Sequence, residues 1–160
     1  SFIFGPDIIK NHLFSTLPKI SINLHLGLSP WYKGSATLFW PFYFLEPHFA
    51  GVTFHQIINK ADAGSILHQS VPELSIGDGI HNVGVNAVKQ AKKDLYTLIE
   101  LLKENRINLV DQRISGKLFL TKDFKPYHLR MIYDLFDDKI VDYYLNGDLL
   151  KSNPTLITAF

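Results

Sequence analysis

The stretch INLHLGLSPWYKGSATLFWPFY, residues 22–43, decides the reading of this chain. Ile22 and Leu24 alternate with Asn23, the period-two pattern of a strand with one buried face, so Asn23 and His25 share the opposite face at the strand's end. Gly27, Pro30 and Gly34 then punctuate a loop, and Ser35–Phe44 has helical spacing up to Pro47. A polar pair at a strand end, followed by a glycine-proline loop, is where α/β sheets collect ligands.

Outward from this stretch, "FIF" before Gly5-Pro6 reads as a short strand and residues 7–14 as a short helix. "FAGVTFHQII" and "SILHQSVPEL" read as two further strands, with "NKADAG" as the turn between them and Pro72 closing the second. Apolar residues at Ile80, Val83, Ala87, Ala91, Leu95, Leu98 and Leu102 predict a long helix from about residue 78 to 104. After Gly116 the pattern predicts a short strand at 118–120 and helices over 126–136 and 138–145, the last stopped by Gly147.

Composition narrows the function classes. The 160 residues are 46% hydrophobic, enough for one domain with a core. Sixteen basic against fifteen acidic residues give a net charge of +1, which disfavours a nucleic-acid partner. The absence of cysteine removes disulfides and thiolate chemistry and fits a cytoplasmic location. The longest apolar-looking run, residues 36–50, is broken by Pro41, Glu46, Pro47 and His48, so no membrane partner is expected.

Three polar residues sit where strands end: Asn23, His25 and Asp62. Singly, each has a bland explanation; Asn23 suits a hydrogen-bonded strand position and Asp62, before Ala63-Gly64, suits a turn. A metal site from His25, His55 and Asp62 is an alternative, though no local histidine pair pre-builds it and no metal is expected. His12, His48, His68, His81 and His128 read as surface or capping residues. The 31–44 aromatic cluster reads either as core and loop packing or as the lining of an acceptor pocket, with Trp31 and Tyr32 as the members expected to be exposed and to bind substrate.

In combination, Asn23-x-His25, a proline loop closing on Gly34, and Asp62-Ala63-Gly64 after the next strand resemble the folate-dependent formyltransferase family over roughly residues 1–105. That family includes the glycinamide ribonucleotide, methionyl-tRNA and sugar N-formyltransferases and formyltetrahydrofolate hydrolase. The resemblance implies an α/β fold: the second half of a Rossmann-like sheet in residues 1–114, with a short α/β extension in 115–160. It implies transfer of a formyl group from 10-formyltetrahydrofolate to an amine. Asn23 would donate to the negative charge that develops on oxygen, His25 would act as acid, and Asp62 would raise the basicity of His25 and relay the amine's proton. Folate would lie against Phe2, Ile3, Phe4, Gly5 and Ile8 and the backbone of Asn59, Lys60 and Ala61, with His55 close to the catalytic group.

Departures from the family pattern bear on the acceptor. Many members have Ser-Leu-Leu-Pro where this chain has Gly27-Leu28-Ser29-Pro30. The tail lacks the length and the basic character of the methionyl-tRNA enzymes' added domain, and the resemblance is nearest to N-formyltransferases of nucleotide-linked aminosugars in surface-polysaccharide synthesis. The family's sheet carries several βα units ahead of the region matched here. The resemblance therefore implies either part of a longer protein or a reduced homologue that covers an exposed sheet edge, for example as a homodimer. A catalytically silent folate-binding module, or another amine acceptor such as methionyl-tRNA or glycinamide ribonucleotide, are the alternatives.

Overall fold

A computed structural model describes residues 1–5, 9, 11–113, 116–150 and 152–160, with the backbone alone at residue 11. Its main sheet has four strands in the order β1-β2-β4-β5: β1 (Phe2–Phe4), β2 (Ile22–His25), β4 (Val52–Gln56) and β5 (Ile66–Ser70). β1 and β2 are parallel; β2, β4 and β5 alternate in direction. A separate parallel pair joins β3 (Tyr32–Gly34) to β6 (Lys117–Phe119). Three helices complete the frame with the short α1 (Asn11–Phe14): α2 (Trp40–Tyr43), α3 (Ile80–Lys103) and α4 (Ile140–Asn146).

The period-two alternation has the expected consequence. Ile22 and Leu24 on β2, with Val52 and Phe54 on β4, pack against Ala87, Ala91 and Leu98 of α3. Each fully buried side chain of the size of Ile22, Phe54 or Leu98 contributes about 1.5–3 kcal/mol. The polar residues are thereby turned to the other side: Asn23 lies opposite His55, and His25 opposite Thr53. A second core joins Leu28, Tyr32, Phe39, Trp40, Phe42 and Phe49 to Phe119, Ile132, Ile140 and Val141, so residues beyond 116 share a core with the 28–50 region. The expected boundary between 114 and 115 itself lies outside the described residues.

Several expectations are corrected. The 27–34 loop contains β3, and the helix expected from Ser35 shrinks to α2. Gly34 and Ala36 both take left-handed backbone, which no helix accommodates. The predicted 126–136 helix is a 3₁₀ turn (Pro126–His128) followed by a π turn (Met131–Leu135). Tyr32 is a core residue, 5% exposed, stacked on Phe119 and donating its hydroxyl proton to Glu46 Oε2 at 2.5 Å. Burial, reinforced by that carboxylate, pushes its pKa up. Trp31, half-buried, packs edge-on against Phe49. No described helix is long and apolar enough to cross a membrane.

Gly34 is required by geometry. Its φ is +91°, and a Cβ there would collide with the Phe119 carbonyl oxygen of the paired strand. Gly34→Ala should cost at least about 1–3 kcal/mol from backbone strain alone, read as a fall in thermal midpoint.

His68, expected at the surface, is buried at 4% exposure. Its Nε2 faces Asp94 Oδ2 at 3.3 Å, its Nδ1 accepts the Ala159 amide proton at 3.1 Å, and Phe160 stacks on the ring. Asp94 is also held by Ser70 and Gln90. Burial lowers the pKa of His68 below 6.5, against the opposing pull of Asp94. The folded state therefore favours neutral imidazole. Its contribution is complete above pH 6.5 and is lost as pH falls through the lower folded value, because the unfolded chain then binds the extra proton. Protonation also removes the acceptor for Ala159. The protection factor of the Ala159 amide, its exchange rate corrected for the intrinsic pH dependence, should fall on acidification below pH 6.5, and His68→Gln should flatten that dependence.

Candidate active site

β2 delivers Asn23 and His25, β4 delivers His55 from across the ladder, and the 57–65 loop delivers Asp62. β4 runs antiparallel to β2, and Asp62 reaches His25 because the loop folds back. Asp62 takes left-handed backbone (φ +46°), and Gln112 Nε2 pins the turn by donating to the carbonyls of Asp62 and Gly64 at 2.9 and 2.8 Å. Gly64 has no room for a side chain against the Gln56 carbonyl.

Asp62 is the hub. Its Oδ2 accepts the Gly34 amide proton at 2.8 Å and lies 3.4 Å from His25 Nδ1; its Oδ1 lies 3.3 Å from His55 Nε2. Burial alone would raise its pKa. The neighbouring His55 ring, the charge of His25 and the Gly34 amide together outweigh it and hold the carboxyl below its ordinary value. His25 is pulled both ways. Burial, the largest influence, lowers its pKa, while Asp62 and the Tyr32 carbonyl, 3.0 Å from Nε2, act in the opposite sense and only partly offset it. A proton taken up on Nδ1, between imidazole and carboxylate, is thus held weakly.

His55 donates through Nδ1 to the Gln56 carbonyl at 2.9 Å, and its Nε2 receives a proton of the Asn23 amide at 3.2 Å. Asn23 Nδ2 carries a second proton that this contact does not use. Asn23 Oδ1 is buried with no hydrogen-bond partner among the described residues. A buried amide oxygen in that state calls for a ligand that carries a donor.

These groups open onto a cleft of about 790 Å³. Of the expected folate contacts, Phe4, Gly5, Asn59, Lys60 and Ala61 line it together with Asn23, His25, His55 and Asp62. Phe2 does not; it packs edge-on against Phe54 in the core. Ile3, half-buried, is also absent from the lining, and Ile8 lies outside the described residues. Neither Trp31 nor Tyr32 reaches the cleft. The opposite wall, from Ser35–Phe39 and Leu118–Thr121, was not anticipated. The alternation of Leu118 and Leu120 about Phe119 was a strand signal, but the surface it faces is set by the pairing with β3. Among the described residues no group of three or more histidine and carboxylate side chains is placed to hold a metal ion.

No protein-family model matches the chain. Solved structures do. The formyltransferase PseJ from Anoxybacillus kamchatkensis, solved with UDP-4,6-dideoxy-4-formamido-L-AltNAc and tetrahydrofolate, is 25% identical over 87% of this chain and 72% of its own, with a TM-score of 0.73. An N-formyltransferase from Helicobacter canadensis, solved with folinic acid and dTDP-3-aminofucose, is 27% identical over 74% of this chain and 44% of its own, with a TM-score of 0.62. A 4-N formyltransferase from Francisella tularensis, at 19% identity and a TM-score of 0.66 over 77% of this chain and 50% of its own, shares the fold. The chain thus spans between 44% and 72% of the length of these proteins. In fold, and at 25–27% identity in sequence, the chain is similar to folate-dependent formyltransferases. Within that family, the three structures it is compared with above include two solved with both a folate and a nucleotide-linked sugar.

Proposed function

We propose that the protein transfers a formyl group from 10-formyltetrahydrofolate to the amine of a nucleotide-linked aminosugar. The observation that carries the reading is the convergence of Asn23, His25 and Asp62 on one cleft whose adjoining wall is apolar. That wall, from Phe4, Ile9, Leu24, Ile57 and Ile58, ends at the backbone of 59–61, which fits a flat heterocycle with a polar edge. The unpartnered Asn23 Oδ1 fits a ligand that brings an N–H. Bound there, the folate supplies an activated formyl carbon.

The chain's own residues do the rest. Asn23 Nδ2 donates to the oxygen on which negative charge develops, while Asn23 Oδ1 accepts from the attacking amine and orients it. Asp62, ionised and fixed by the Gly34 amide, would take the proton lost by the amine and pass it to His25 Nδ1, which would hand it to the folate nitrogen as that nitrogen's bond to the formyl carbon breaks. The aminosugar as acceptor is supported by the sugar-nucleotides in the similar structures. A cytoplasmic step in surface-polysaccharide synthesis is the corresponding setting.

The test is to incubate the protein with 10-formyltetrahydrofolate and a panel of nucleotide-linked 3- and 4-aminosugars, scoring formamide products by mass spectrometry. One or more acceptors should be formylated, and glycinamide ribonucleotide and methionyl-tRNA should not. Folate binding without any product would replace this reading with that of a binding module.

A further inference from the structure

Gly27 stands two residues after His25 and has no part in the chemistry above. Its backbone is outside the left-handed region, so conformational freedom does not explain it. Space does. A Cβ at this position would lie 2.5 Å from His25 Nε2, 2.6 Å from Thr37 Cβ and 2.7 Å from Thr37 Oγ1. The backbone has no room to retreat, because the Gly27 amide donates to the His25 carbonyl at 2.9 Å and the Gly27 carbonyl accepts from Thr53 Oγ1 at 2.7 Å. The Thr37 hydroxyl is in turn committed to the Leu26 carbonyl.

The absent side chain is what lets the imidazole seat its Nε2 against the Tyr32 carbonyl. A carbonyl oxygen only accepts, so Nε2 must carry hydrogen in every protonation state that keeps this bond. The nitrogen left to gain and lose a proton is Nδ1. It faces Asp62 Oδ2 on the 57–65 loop, and the other titratable group acting on the ring is His55 on β4, with ring centres 6.2 Å apart.

We propose that Gly27 is a positioning residue for His25: by leaving room for the ring against the Tyr32 carbonyl, it fixes the neutral imidazole as the Nε2–H tautomer and makes Nδ1 the proton-exchanging nitrogen. The catalytic half of this statement rests on the function proposed above, while the tautomer does not.

The experiment is ¹⁵N NMR of histidine-labelled protein through a pH titration, paired with kinetics. Wild-type His25 in its neutral form should show a protonated Nε2 and a bare Nδ1. Gly27→Ala should abolish that signature and lower kcat by on the order of a hundredfold, the scale of an ångström's misplacement, with KM for the donor little changed. Gly27→Ala combined with Thr37→Gly removes the crowding against Thr37 but not that against His25, so it should fold more readily and keep the kinetic defect. A neutral wild-type His25 protonated on Nδ1 would overturn the proposal, as would wild-type nitrogen shifts and kcat in the double variant. The nitrogen shifts are read whether or not formyl transfer occurs, so the proposal and the proposed function can fail separately.

Discussion

His25→Ala should lower the rate of formyl transfer by on the order of a hundred- to ten-thousandfold, the range that a positioned acid-base group supplies. His25 is held against both Asp62 and the Tyr32 carbonyl, and its ring is 7% exposed, so water cannot readily replace it. Removal leaves the Tyr32 carbonyl without this partner and costs about 1–3 kcal/mol of stability, a loss that a folded domain of this size tolerates. Donor binding should persist, because the apolar wall formed by Phe4, Leu24, Ile57 and Ile58 is untouched. Stopped-flow transfer rates beside equilibrium folate binding check both halves. A variant with full transfer activity removes His25 from the mechanism.

Asn23→Ala should cost on the order of a hundred- to a thousandfold in kcat, with KM for either substrate little changed. The amide acts on charge that develops only as the reaction proceeds, so its loss is felt in the transition state more than in binding. The same substitution frees His55 Nε2, which then faces Asp62 Oδ1 alone. Asn23→Asp should be at least as damaging, because a carboxylate has no proton to donate and sets a second negative charge close to Asp62. A loss confined to KM would reassign Asn23 to substrate binding.

Much of this site was legible in the sequence because local rules govern it. The alternation of Ile22 and Leu24 with Asn23 placed the polar pair away from α3, and the helical spacing from Ile80 to Leu102 located α3 itself. The Asp62-Ala63-Gly64 turn marked where the carboxylate emerges, and Gly64 is indeed a position without space for a side chain. What sequence could not reach depends on contacts between distant segments. Tyr32 looked like a loop aromatic and is buried because Phe119, far along the chain, stacks on it as β6 pairs with β3. His68 looked like a surface residue because its compensating partners, Asp94 on α3 and Ala159 near the end of the chain, are invisible to local periodicity. Phe2 and Phe4 lie within one short strand, yet the first packs on Phe54 and the second, 64% exposed, borders the cleft. Burial at a strand end is decided by what covers it.

The most direct measurement follows a ¹³C-labelled formyl group from 10-formyltetrahydrofolate by NMR, in wild-type protein and in the Asn23→Ala, His25→Ala double variant, with a nucleotide-linked aminosugar present. The account predicts a new formamide carbon on the sugar in the wild type and label remaining on the folate in the variant. Label released as formate, or transferred equally fast in both proteins, would contradict it.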